Sequence, residues 1–96
     1  VPVAPRRDYA SHARTHEAAI RAALTGGVID ADVVHGHVGT YGGWAAVQLA
    51  RPGARVFVTE HATFLDRVLA RRAAREMYDE VLARCTRFFC VSAVLR

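Results

Sequence analysis

Two periods of hydrophobic patterning organise this chain. From Tyr9 to Leu24, the residues Tyr9, Ala13, His16, Ile20, Ala23 and Leu24 recur at roughly helical spacing and form one face of an amphipathic helix. Asp8 is its candidate N-cap. Gly26-Gly27 ends it, because glycine adopts the left-handed conformation of a helix C-terminus without a Cβ clash. Three short apolar runs follow at 33–37, 55–60 and 87–91, too short for helices and rich in Val and Phe. Such runs suit parallel strands buried on both faces. Helical sequence separates them. Thr40 is the candidate N-cap of a helix running to Leu49 or Ala50, which Arg51-Pro52-Gly53 stops. After the second run come two helical faces, Phe64, Leu65, Val68 and Leu69, then Ala74, Met77, Tyr78, Val81, Leu82 and Cys85. These do not align on one straight helix, so the spacing predicts a break between Ala70 and Ala73. Residues 1 to 6 are proline-rich and expected to be extended, and Ser92 is the candidate N-cap of a further helix.

A strand, a helical crossover and a parallel strand join right-handedly in nearly all proteins. The pattern therefore predicts an α/β fold: a partial Rossmann-like, three-layer domain of three parallel strands, adjacent in chain order, with flanking helices on both faces. The 96 residues form a single such domain over 1–96, expected to be incomplete at both ends and only marginally stable alone. It would expose an apolar sheet edge where further strands belong.

Composition narrows the function. The net charge is +4, and all thirteen basic residues are arginine, with no lysine or asparagine. That usage fits a GC-rich coding sequence, and no basic run carries interleaved aromatics, so nucleic acid is not an expected partner. Cys85 and Cys90 are too few and too irregularly placed for a disulfide framework or zinc cluster. A reducing cytoplasm is the default. Arg67, Arg71, Arg72 and Arg75 gather at the predicted helix break, where a solvated face or contact with anionic lipid would account for them. Arg72 and Glu76 have the spacing of a surface ion pair.

The chemistry lies where the strands end. Ligands of open α/β sheets bind in the crevice beyond the C-terminal ends of the strands. Here those ends carry His35 and His37, then Glu60 and His61, then Ser92. His35 and His37 are two apart and point to one face, and pairing with the second strand would bring three imidazoles and a carboxylate to one rim, with Glu60 alternating to the other side of the strand or turning with the loop. The glycine-rich stretch after His37 opens a helix, where bare N–H groups suit an anion, but it lacks the G-x-G-x-x-G spacing of a dinucleotide site. A tight turn packed through glycine explains it equally well. His12 and His16 lie one helical turn apart, spacing a metal could use, but a packed or half-exposed histidine is the simpler account.

Asp32-Val-Val-His35-Gly-His37, Gly42-Gly43, Thr59-Glu60-His61 and Val91-Ser92-Ala-Val-Leu-Arg96, in this order, resemble the N-terminal domain of family 4 glycosyltransferases. The likeness runs from about Asp30 to Arg96 and implies retaining, GT-B-fold enzymes that move a sugar from a nucleotide-sugar donor to an acceptor. It implies that His61 faces the interdomain cleft as the catalytic residue. It also implies that His37, Gly39, Thr40 and Tyr41, with Glu60 beside His61, form the acceptor side as substrate-binding residues. The donor is held mainly by a C-terminal Rossmann-like domain whose motifs do not occur here, so this segment is not expected to be active alone. No cofactor and no metal are expected. The acceptor is a sugar, lipid or small molecule, and the location is cytoplasmic, with peripheral contact at the inner face of the membrane. Two other readings stay open. His35, His37 and His61 could ligate zinc in a metal-dependent hydrolase, or the chain could be a non-catalytic α/β interaction module.

Overall fold

The computed structural model describes residues 9–61 and 65–91. Three strands, β1 (Val33–His37), β2 (Arg55–Glu60) and β3 (Arg87–Cys90), form one parallel sheet in the order β1-β2-β3. Around it lie α1 (Tyr9–Ala23), α2 (Trp44–Leu49), α3 (Leu65–Leu69) and α4 (Arg72–Arg84). The parallel, chain-order sheet with flanking helices is the expected Rossmann-like arrangement. The helical break falls at Ala70-Arg71, inside the expected interval. Asp8, Phe64, Ser92 and the residues 1 to 6 lie outside the described residues.

The register divides the sheet into two unlike faces. Val34, Gly36, Val56, Val58, Glu60, Phe88 and Cys90 share one, and Val33, His35, His37, Arg55, Phe57, Thr59, Arg87 and Phe89 share the other. On the first, Val56 and Val58 pack with Ala10 and Ala13 of α1, Trp44, Ala46 and Val47 of α2, and Met77 and Val81 of α4. On the second, Val33 is 56% and Phe89 48% exposed. The expectation of strands buried on both faces is thus corrected: among the described residues the helices cover one face only. Full burial on that side needs alternate residues alone, so a continuous apolar run overstates coverage.

Local anchors fix the helices. Glu17 of α1 accepts the Trp44 indole N–H at 2.8 Å and is paired with Arg21. Arg51 bridges Asp30 and Asp32 at the turn before β1. On α1 the buried residues are Ala10 and Ala13, while His12 and His16 are exposed. Gly26 and Gly27, both at positive φ, end α1 through a short 3₁₀ turn, as expected of glycine. On α4 the apolar face is buried except at Leu82, which is 45% exposed. Arg72 and Glu76 form the anticipated surface pair at 3.5 Å.

The link from β1 to α2 departs from expectation. Val38–Gly43 forms a π-helical turn that runs directly into α2. Thr40 is not an N-cap. It lies inside this turn, 2% exposed, and His37 occupies the capping position without a side-chain cap bond. The glycines explain the wider turn. A Cβ on Gly36 would run into the Gly42 carbonyl, and one on Gly42 into the His37 backbone, so the turn folds back onto the strand that precedes it. Val38 takes φ 68°, a left-handed conformation costly for a β-branched residue, immediately after His37.

Candidate functional site

The C-terminal ends of β1 and β2 are held side by side by the pairs Gly36–Val58 and His37–Thr59. Period-two alternation then sorts their polar residues. His35 and His37 leave on the open face, and their rings stack with centroids 4.5 Å apart. His35 Nε2 lies 2.7 Å from the hydroxyl of Thr59, which is diagonal to it across the strand pair, two residues beyond its register partner Phe57. His37 Nδ1 lies 2.9 Å from His61 Nε2, with the two rings 5.1 Å apart. Of the expected rim, three imidazoles therefore come together, joined by Thr59.

Glu60 does not join them, which corrects its placement on that rim. As the sixth residue of β2 it faces the helices with Val56 and Val58, and it is 0% exposed. Its Oε1 accepts the Tyr78 hydroxyl at 2.6 Å and the Gly39 N–H at 3.1 Å. A buried carboxylate needs such donors, since its desolvation is otherwise uncompensated. Burial, then the hydrogen bond to Glu60 and the charge of that carboxylate, push the Tyr78 phenol far above its ordinary range.

The glycine-rich turn is consequently an anion site filled from within: the Gly39 N–H that would meet a ligand is spent on Glu60. A Cβ on Gly39 would stand 2.5 Å from the Tyr78 ring, so Gly39 serves close packing. Thr40 is buried beside it. Tyr41 is half-buried and meets the edge of the His16 ring at 6.3 Å. Burial, with the neighbouring Tyr9, raises the Tyr41 phenol. A cavity of about 420 Å³ along the outer side of β1 is lined by His16, Ile20, Val34, His37 and Tyr41 among others. Of the expected site residues, His37 and His61 are in hydrogen-bond contact, Tyr41 lines a cavity that His37 also reaches, and Gly39, Thr40 and Glu60 are interior.

Two partners were not anticipated. Thr59 was seen only as part of a strand-end motif, although its place opposite His37 follows from the register. Tyr78 was read as one residue of an apolar helix face. The signal for it was a carboxylate in phase with Val56 and Val58, which requires a donor from the covering helix.

A zinc reading needs imidazoles that converge on one point. Here His35, His37 and His61 stack as a ladder, and among the described residues no group of three His, Cys, Asp or Glu side chains could hold a metal ion.

A parallel α/β sheet with flanking helices and a polar cluster at the strands' C-terminal ends defines a Rossmann-like domain. The family model for Glycosyltransferase Family 4 matches residues 1–96, the whole chain, and the chain belongs to that family of transferases. No curated protein and no solved structure matches it significantly.

Proposed function

We propose that this chain forms the acceptor side of the interdomain cleft in a GT-B glycosyltransferase that moves a sugar from a nucleotide-sugar donor to a sugar, lipid or small-molecule acceptor. The reading treats 1–96 as one partial domain of a longer cytoplasmic enzyme in peripheral contact with the membrane, with the donor held mainly by a second Rossmann-like domain. The observation that carries it is the hydrogen-bonded pair His37–His61 at the ends of two adjacent parallel strands.

The pair fixes which nitrogens meet a ligand. One ring donates the bridging proton and the other accepts it, so His61 Nδ1 and His37 Nε2 are left for substrate. When His61 Nε2 accepts, a neutral His61 carries its proton on Nδ1 and offers it as a donor. Aimed into the cleft, that donor can bond a sugar hydroxyl or a phosphate oxygen. It then offsets the charge that grows on the departing nucleoside diphosphate as the sugar passes through an oxocarbenium-like state. His61 is the catalytic residue in this scheme. His37 sets its tautomer and shares the substrate pocket with Tyr41. Gly39, Thr40 and Glu60 contribute by shaping that pocket from beneath.

Steady-state kinetics of His61→Ala in the enzyme carrying this segment tests the scheme. Turnover is expected to fall roughly 10²-fold or more with donor affinity little changed, and His12→Ala on the exposed side of α1 is expected to do much less. A folded His61→Ala enzyme with near wild-type turnover would make His61 a structural strand-end residue.

A further inference from the structure

His35 and Thr59 meet at the rim without a part in the transfer as described. Both lie on the face of the sheet that, among the described residues, no helix covers, and His35 is exposed. A side chain on such a face turns freely unless something holds it, and fixing it costs rotamer entropy. His35 is held. Its register partner, Phe57, offers no hydrogen-bonding side chain, so the imidazole reaches diagonally to Thr59, two residues further along β2, and Nε2 meets the hydroxyl at 2.7 Å.

Thr59 is itself the register partner of His37. The bond therefore crosses from β1 to β2 at the level of His37. It sets the His35 ring as a plate, 4.5 Å from the His37 ring and inclined to it by 25°. That arrangement is one of stacked planar rings. His61 stacks on His37 as well, at 5.1 Å and 29°. His37 thus meets two demands at once: its plane follows His35, and its Nδ1 stands 2.9 Å from His61 Nε2. Rotation of the His37 ring about its Cβ–Cγ bond would break both the stack and that hydrogen bond. Fixing His35 fixes the orientation in which His37 presents Nδ1 to His61, and with it the direction of His61 Nδ1.

We propose that Thr59 and His35 are positioning residues for the His37–His61 pair: the Thr59 hydroxyl anchors His35, His35 stacks on His37 and holds its plane, and His37 holds His61. This rests on the glycosyltransferase reading for the reaction that His61 serves, and adds to it two side chains that act through another ring rather than on the substrate. Orientation of a reacting group is realised in the transition state, so the effect falls on turnover rather than on donor binding.

The Thr59–His35 bond can run in either direction, because a hydroxyl both donates and accepts. Thr59→Ser keeps it, Thr59→Val removes it at nearly equal volume, and His35→Phe removes it from the other side while keeping a planar ring. In steady-state kinetics of the enzyme carrying this segment, kcat should fall roughly tenfold in Thr59→Val and in His35→Phe, with donor KM unchanged within about twofold. Thr59→Ser should restore kcat to within about twofold of wild type. The double variant T59V/H35F should fall no further than either single one, since both remove the same bond. In an enzyme that His61→Ala slows, wild-type kcat in both single variants overturns the proposal. Equal losses in Thr59→Ser and Thr59→Val, or additive losses in the double variant, overturn it too. Circular dichroism confirms folding, and if Thr59→Val does not fold, His35→Phe, at an exposed position, carries the same prediction.

A second readout needs no turnover. Proton–nitrogen correlation spectra of the enzyme with isotope-labelled histidines report the tautomer and surroundings of each ring. Thr59→Val should move the ring resonances of His37 and His61 together with those of His35. Movement of His35 alone makes the bond a local one and overturns the proposal. Wild-type turnover in folded His61→Ala would remove the reaction and leave this spectral coupling intact, so the catalytic reading and the positioning reading fail in different measurements.

Discussion

Glu60 and His61 are neighbours in sequence at the end of one strand, and the fold gives them opposite surroundings. Glu60 turns inward, fully buried, with Tyr78 and Gly39 as donors. His61 turns outward, exposed, with the His37 imidazole as its partner among the described residues. The inward residue has its bonds made within the fold, so its contribution is to stability and to the shape of the glycine-rich turn. Among the described residues the outward one keeps Nδ1 uncommitted, as a group that must meet a substrate requires. One step of strand alternation separates a structural carboxylate from the candidate catalytic histidine.

The contrast is sharpest when either residue is removed. Glu60→Ala leaves the Tyr78 hydroxyl and the Gly39 N–H buried without their acceptor, at about 1–3 kcal/mol each. We expect the largest loss of stability here, a substantial part of what a small domain possesses. His61→Ala should change stability by less than about 0.5 kcal/mol, as at other exposed positions. Urea denaturation of the two variants in parallel measures both, and equal losses would erase the distinction between the two sides of the strand.

Next in size is Gly39→Ala. Its Cβ has no room beside the Tyr78 ring, and overpacking of this kind costs about 1–3 kcal/mol. Unchanged stability would show that the turn can move off α4.

A smaller effect belongs to pH. Because the folded chain holds the Tyr78 proton more firmly than the unfolded chain does, this contribution is fully present below about pH 10 and declines as pH rises beyond it, by up to about 1.4 kcal/mol per unit. Tyr78→Phe should cost about 1 kcal/mol at neutral pH and flatten that alkaline decline. A wild-type alkaline slope retained in the variant would assign the decline to other groups. Smallest of all, Arg72→Ala breaks only the exposed pair with Glu76 and should stay within about 0.5 kcal/mol in thermal unfolding at moderate salt.

Much of this architecture was legible in the residues. The apolar runs place β1 and β2 as observed and β3 one residue too long at Val91, and the phase slip between Leu69 and Ala74 marks the helical break. Those features depend on local composition and period. The single-sided burial was not legible, because Val33-Val34 and Phe88-Phe89 put an apolar residue on each face whether or not anything covers it. The π-helical turn was missed because its cause is tertiary: Gly36 and Gly42 permit a close approach between segments that sequence spacing does not reveal. Alternation along β2 already allows Glu60 to turn to the other side of the strand, in phase with Val56 and Val58. Its donor, Tyr78, was not legible, because it lies eighteen residues away on another element.

The bond from Trp44 to Glu17 has a practical consequence. The chain contains a single tryptophan, so emission excited at the red edge, where its three tyrosines do not absorb, has one source. That indole is 9% exposed, at the start of α2, with its N–H held by a carboxylate on α1. Lifting α1 away admits water to the ring and removes the carboxylate, so the emission should shift to the red before the sheet itself opens. Fluorescence thus follows the seating of one helix, while far-ultraviolet dichroism follows the helical content of the whole. A difference between the two midpoints would time the departure of α1 without any label being added.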